Sequence, residues 1–263
     1  MTELSYDEEA TRRLLSVYVT PDVAEQREEF LRVLQPRSGE RVLDVGAGPG
    51  FLAAAIGSAV GPSGSVSGVD ISQPLLGAAR NHCAAQPWIE FHQADATDLP
   101  FPDASFDAVI STQVLEYVPG VDAALAEMRR VLRPTGRAVI VDTDWDSIVW
   151  HSPDRARMNR ILLAWEEHAA DPYLPRSLAK KLASAGFQVS AQRTLPLFNP
   201  SFDANSYSNR IIDLIVLFVA GRSGVTGEEA AQWAAQLRSA GARGEYFFSL
   251  NRYVFVARPV ERS

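Results

Sequence analysis

No stretch constrains this chain more than Arg41-Val42-Leu43-Asp44-Val45-Gly46-Ala47-Gly48-Pro49-Gly50-Phe51-Leu52. An apolar run rich in β-branched residues stops, three glycines alternate, and a helix-like segment begins. That pattern predicts a strand, a tight turn and a helix N-terminus, where backbone N–H groups and the positive end of the helix dipole face a ligand. A dinucleotide fingerprint would place its third glycine at position 51, which is Phe51. Asp44, two residues before the first glycine, also falls outside that fingerprint. Taken alone, the turn fits a nucleotide site of any kind or a structural role.

The flanking sequence alternates strands and helices. Strands are expected at 42–45, 66–70, 89–93, 106–111 and 138–141, with helices at 49–59, 74–85 and 122–132 between them. Apolar strands alternating with helices specify a parallel sheet covered on both faces, and right-handed crossovers make it a doubly wound α/β fold. Upstream, residues 7–35 form two helical pieces, the second capped by Thr20 with Pro21 in its first turn. After Asp142 the rhythm changes. Helices are expected at 155–168, 175–185, 206–220 and 228–240, and strands at 187–195 and 253–257. We read a single domain, 1–263: an N-terminal helical lid at 1–38, a cofactor-binding core at 39–145, and a C-terminal half, 146–263, whose insertion at 196–245 caps the site.

Charge and composition exclude several classes. The net charge is −7 and no Lys/Arg cluster stands out, so no nucleic-acid partner is expected. The single cysteine, Cys83, forms no internal disulfide and reads as a packed thiol, which suits a cytoplasmic location. The acidic N-terminus lacks the apolar segment of a signal peptide. The most apolar run, Ile211 to Ala220, carries Asp213 and is too short to span a bilayer, so no membrane span is expected. No GxSxG, CxxC or HExxH motif occurs. Asp142, Asp144 and Asp146 alternate, but without a further ligand cluster no metal is expected. They read as a crevice edge with Trp145 as an apolar wall.

Two acids follow the turn at informative spacings. Asp70 ends the second strand about 20 residues on, where a carboxylate can accept both hydroxyls of a ribose. A helix N-cap or a solvated strand end is the alternative. Asp95 ends the third strand and either accepts from an adenine amino group or closes an Asx turn. The fourth strand ends in Ser111-Thr112-Gln113-Val114-Leu115-Glu116-Tyr117, facing the same crevice, and Leu132-Arg133-Pro134-Thr135-Gly136-Arg137 precedes the fifth.

As a set, these motifs resemble the class I S-adenosylmethionine-dependent methyltransferases, in particular the small-molecule branch containing the ubiquinone/menaquinone-biosynthesis enzymes. The resemblance is dense over about residues 40–142 and loose in the flanks. It implies a Rossmann-like seven-stranded sheet of order 3-2-1-4-5-7-6, strand 7 antiparallel, with helical caps. It implies S-adenosylmethionine as cofactor and S-adenosylhomocysteine as product. Gly46, Gly48 and Gly50, flanked by Asp44 and Phe51, would lie under the methionine part. Asp70 would take the ribose, Ile71 the adenine face, Asp95 and Ala96 the adenine, and Gln113 the amino end of the methionine. Tyr18 and Arg27 lie on helices that fold over the cofactor in similar enzymes. There Arg27 either pairs with the methionine carboxylate or forms a surface ion pair with an acid such as Glu28. The family often has a histidine near the position of Tyr117, and this chain does not. Asn199-Pro200-Ser201-Phe202 is similar to the tetrapeptide of amino-methyltransferases, but there it follows the fourth strand.

The expected activity is methyl transfer to an O, N or C atom of a small, apolar or aromatic metabolite. The alternatives are an inactive S-adenosylmethionine-binding regulatory protein and a nucleotide-dependent oxidoreductase. Asp144, His151 and His168 are the candidates for a catalytic base, none of them assigned. Trp145, Tyr207, Asn209 and Tyr246 are candidates for the acceptor pocket. Oligomeric state is not legible.

Overall fold

A computed structural model describes residues 15–260. Leu14 and the earlier part of the expected N-terminal lid lie outside them. The elements run α1 (Pro21–Leu34), β1 (Arg41–Val45), α2 (Phe51–Val60), β2 (Ser65–Asp70), α3 (Gln73–His82), β3 (Ile89–Gln93), β4 (Phe106–Thr112), α4 (Val121–Val131), β5 (Leu132–Trp150), α5 (Arg155–Glu166), α6 (Pro175–Ser184), β6 (Phe187–Asn199), α7 (Tyr207–Val219), α8 (Gly227–Ala242) and β7 (Phe248–Pro259). They build a seven-stranded sheet of order β3-β2-β1-β4-β5-β7-β6. β1 to β5 pair in parallel, and β7 runs antiparallel to both β5 and β6.

Period-two alternation divides the central strands between two cores. Val42 packs with Phe30, Leu34, Leu52, Ile56 and Leu76 on the face carrying α1, α2 and α3. Leu43 and Val45 pack with Leu125, Met128, Leu178 and Leu182 beneath α4 and α6. A third cluster, with Trp145, Trp150, Ile161, Trp165, Ile211, Ile215 and Trp233, joins α5, α7 and α8 to the long ends of β5 and β7. Among the described residues no helix is long and apolar enough to cross a membrane.

Three strands outrun their expected lengths. β5 keeps Pro134-Thr135-Gly136 outside its ladder: Phe106 pairs with Leu132 and Ala108 with Arg137, so the residues between bulge out. A second bulge falls between Asp144, paired with Asn251, and Val149, paired with Ser249. It carries Trp145, whose N–H donates to the Pro172 carbonyl at 2.9 Å. Bulges of this kind re-aim side chains beside functional sites. β6 continues through Pro196 to Asn199, four residues expected in the cap. As the outermost strand, β6 tolerates a residue without an N–H. The segment between β6 and β7 is therefore 200–247.

Thr20 does not cap α1 with its side chain. Its hydroxyl donates to the Val17 carbonyl at 2.9 Å. Asp22, in the first turn of α1, instead accepts from the Tyr207 N–H at 2.9 Å and from Asn199 Nδ2 at 3.1 Å. An acid from one helix thus sits at the N-terminus of another, α7. Asn199 is occupied by this contact and by the Ser208 N–H, which gives its tetrapeptide a structural role.

Arg137 fastens the base of the sheet. Its guanidinium donates to the Leu34 carbonyl at 2.6 Å, the Gln35 carbonyl at 2.7 Å and both oxygens of Glu40 at 2.9 and 2.7 Å. Three elements, α1, β1 and β5, meet there, and both side chains are largely buried. Bidentate, charge-assisted bonds in such a place are worth more than a surface pair. Arg137→Ala is expected to lower the unfolding free energy by about 2–4 kcal/mol, and Arg137→Lys to recover only part of it. Urea denaturation checks both.

Candidate functional site

A cavity of about 670 Å³ opens beyond the carboxyl ends of the parallel strands, where open α/β sheets bind ligands. Its floor begins at the glycine turn. The Gly46 and Ala47 N–H groups both donate to the Val69 carbonyl, at 2.8 and 2.9 Å. The Gly48 N–H donates to Asp70 Oδ2 at 2.9 Å. Gly46 has φ +74°, and a Cβ there would lie 2.1 Å from Val114 Cγ2, so both backbone conformation and space demand glycine. Gly48 (φ +51°) has open space where its Cβ would be.

Tyr18, Arg27, Asp44, Gly46, Gly48, Phe51, Asp70, Ile71, Asp95, Ala96 and Gln113 all line this cavity. Gly50 does not. It precedes α2 with φ +80°, and a Cβ there would press on Ala79 at 2.9 Å, so it serves helix packing instead. Ile71 is 57% exposed, an apolar platform just past β2. Asp70 also accepts from the Ser72 N–H at 2.8 Å, while Ser72 is the N-cap of α3. Asp95 closes the Asx turn, since its Oδ1 accepts from the Thr97 N–H at 2.8 Å and hydroxyl at 2.7 Å. Arg27 makes no ion pair with Glu28. It donates to the Tyr18 carbonyl at 2.7 Å and lies 5.1 Å from the Phe51 ring centre.

The electrostatics of the floor are unusual. Asp44 is buried, its carboxylate accepts no hydrogen bond among the described residues, and Oδ2 is sealed from solvent. Burial, and then the charge of Asp70, push its pKa up to about 7. Asp142 and Glu116, both fully buried, organise the tips of β4 and β5. Asp142 Oδ1 accepts from the Val114 N–H at 3.1 Å, and Glu116 accepts from the Thr143 N–H at 2.6 Å and Trp145 Nε1 at 3.2 Å. Burial raises both carboxyls, Glu116 to about 7. Thr143 in turn donates its hydroxyl to Gln113 Oε1, and Gln113 holds φ +57°. This network fixes Gln113 and Trp145 at the cavity edge.

The acceptor candidates divide. Trp145 and Tyr207 line the cavity. Tyr246 and Asn209 do not. The Tyr246 hydroxyl donates to Ser208 Oγ at 2.9 Å and accepts from Trp150 Nε1 at 3.0 Å, inside the cap core. Asn209 Nδ2 donates to the Ala204 carbonyl at 3.0 Å. The base candidates divide as well. Asp144 is held by Arg176 at 2.8 and 3.0 Å, and Asp146 joins the same guanidinium at 2.6 Å, so neither acid turns to the cavity. His151, whose N–H donates to the Phe247 carbonyl, lies outside the cavity too. Only His168 lines it, stacked at 3.8 Å on Trp165. Its Nδ1 meets the Trp165 carbonyl, which only accepts, so Nδ1 carries the proton. Burial lowers its pKa to about 4, leaving it neutral near pH 7.

Several lining residues escaped sequence reasoning. Trp165 is one, and Ile211, Leu214 and Phe218 of α7 form an apolar wall. Arg252 is another, and it had a signal: a charge alternating with Leu250 and Val254 in a core-facing register.

The buried acids give the ligand-free protein a defined pH response. An unfolded aspartate ionises near pH 4, whereas Asp44 in the fold ionises near 7. The folded state therefore binds more protons between these values, and stability falls as pH rises through them. Asp44→Asn should remove its share, stabilising the free protein by of order 2 kcal/mol more at pH 8 than at pH 5. Urea unfolding at both pH values measures this; an equal effect at the two would show that Asp44 titrates normally.

Residues 43–140 match the family model described as "Methyltransferase domain". A 37.1 kDa protein of transposon Tn4556 from Streptomyces fradiae is 37% identical over 181 residues, 66% of this chain and 51% of that protein. The ubiquinone/menaquinone biosynthesis C-methyltransferase UbiE of Pseudomonas putida is 45% identical over 109 residues, 40% of this chain and 43% of that protein. The chain thus spans about half the length of these curated relatives. Among solved structures, the phosphoethanolamine N-methyltransferase 2 of Haemonchus contortus superposes with a TM-score of 0.64 at 18% identity, covering 98% of this chain and 58% of that one. The YcgJ protein of Bacillus subtilis gives 0.63 at 19%, covering 91% and 100%. The matched domain, the sheet order and these relatives together support a class I S-adenosylmethionine-dependent methyltransferase.

Proposed function

We propose that this chain is an S-adenosylmethionine-dependent methyltransferase that acts on a small, apolar or aromatic acceptor at an O, N or C atom. One observation carries the cofactor reading. The cavity floor presents a buried carboxylate with no protein partner, Asp44, and the cavity is also lined by a guanidinium with no carboxylate partner among the described residues, Arg27. An amino-acid tail offers an ammonium to the first and a carboxylate to the second. Gly48 leaves room for it, Asp70 stands ready for ribose hydroxyls, and exposed Ile71 offers an apolar face to a base. These residues fit the group that the family uses.

When bound, S-adenosylmethionine supplies a methyl on a positively charged sulfur, open to in-line displacement. The protein's share is alignment and exclusion of water, worth up to about 7–11 kcal/mol in favourable cases. Trp145, Trp165, Tyr207 and α7 make an apolar wall suited to both tasks. The N-terminal segment through residue 38 serves as a lid in this reading, and residues 200–247 as the cap over the acceptor.

Two experiments test it. Asp70→Ala should weaken S-adenosylhomocysteine binding by about 1.5–3 kcal/mol in isothermal titration; an unchanged dissociation constant would contradict the ribose assignment. Methyl-labelled S-adenosylmethionine incubated with a cell metabolite extract should yield a labelled small molecule. Binding without transfer would favour the regulatory reading. Heat with NAD and none with S-adenosylhomocysteine would favour an oxidoreductase.

A further inference from the structure

Arg252 stands where a core residue belongs. It sits in mid-β7 between Leu250 and Val254, which are 0% and 2% exposed, and is itself 6% exposed. A buried cation without a matched acid is costly and needs a reason. No carboxylate pairs with it within 4.0 Å among the described residues; its Nη1 donates to the neutral Gln26 Oε1, and its Nε has no partner. Yet Arg252 lines the cavity, with the Tyr207 ring centre 5.3 Å from its Cζ. In the strand register it lies opposite Thr143, whose hydroxyl bonds Gln113. The guanidinium therefore stands on the β7 side of the cofactor floor, away from Asp44 and the glycine turn.

We propose that Arg252, together with the Tyr207 hydroxyl, forms an anion subsite in the acceptor half of the cavity, and that the acceptor is an apolar or aromatic molecule bearing a carboxylate. This rests on the methyltransferase reading and deepens it. A planar fork suits a carboxylate's two oxygens. Burial keeps the Tyr207 phenol protonated, its pKa pushed up to about 12, so it remains a donor. Glu116 feels the charge of Arg252 but is already bound to Thr143 and Trp145. One guanidinium with buried acids nearby matches a single negative charge better than a phosphate dianion. The remaining lining is apolar, with Trp145, Ile211 and Phe218 suited to a ring or chain.

The test uses the full chain saturated with S-adenosylhomocysteine and reads probe binding by isothermal titration. The probes are benzoate, phenylacetate, cinnamate and 4-hydroxybenzoate, each beside its primary amide. At least one acid should bind about tenfold or more tighter than its amide. Arg252→Gln should abolish that preference with S-adenosylhomocysteine affinity held, and Arg252→Lys should restore part of it. Tyr207→Phe, a milder change should Arg252→Gln fail to fold, should reduce the preference several-fold. The proposal is overturned by no acid binding up to millimolar concentration, by equal binding of acids and amides, or by a preference that survives Arg252→Gln. Weaker S-adenosylhomocysteine binding in Arg252→Gln also overturns it, by assigning the guanidinium to the cofactor. Absence of S-adenosylhomocysteine binding in the unaltered chain instead removes the methyltransferase reading beneath it.

Discussion

The arrangement depends on the clamp between the glycine turn and the end of β2. Three successive N–H groups, from Gly46, Ala47 and Gly48, are spent on the Val69 carbonyl and the Asp70 carboxylate. Backbone donors in a tight turn must find acceptors. Here the acceptors come from the neighbouring parallel strand, so the turn's shape is set by sheet register and not by the turn alone. The clamp aligns Asp70 beside the floor, and Asp44 lies buried there with no hydrogen-bond donor among the described residues. The polarity of the site follows from that geometry.

The opposite edge of the cavity is built differently. There the order comes from side chains: Asp142, Glu116, Thr143 and Gln113 form a chain of hydrogen bonds across the tips of β4 and β5. The bonds that are made favour one geometry, although Asp142 Oδ2 finds no partner among the described residues. They explain how Gln113 keeps a left-handed backbone conformation that its side chain would otherwise disfavour. One edge of the site is thus rigid through its backbone, and the other through its carboxylates.

Much of this was legible in the sequence, for physical reasons that differ by residue. Short apolar runs and glycine punctuation specify β1 to β4 and their crossovers, and the motif set implied the sheet order. Asp44, Asp70 and Asp95 were visible because each lies within two residues of a strand's carboxyl end. Strand length was not: Pro196 reads as a terminator, and only its position on the edge strand shows why it is not one. Gly50 looked equivalent to Gly46 and Gly48, because spacing does not distinguish a glycine facing a ligand from one facing Ala79. Asn209 and Tyr246 were plausible as polar groups near an apolar helix. Which side of α7 and the cap they occupy is decided by tertiary packing. Arg252 was missed because the expected strand began one residue after it, at Tyr253, whereas β7 starts at Phe248.

The bond from Asp22 to the start of α7 ties together two walls that the sequence separates by more than 180 residues. α1 brings Arg27 to the cavity wall, and α7 brings Ile211 and Phe218. Because one carboxylate fastens both helices, neither is placed independently, and the spacing between these two walls is set by a single shared contact.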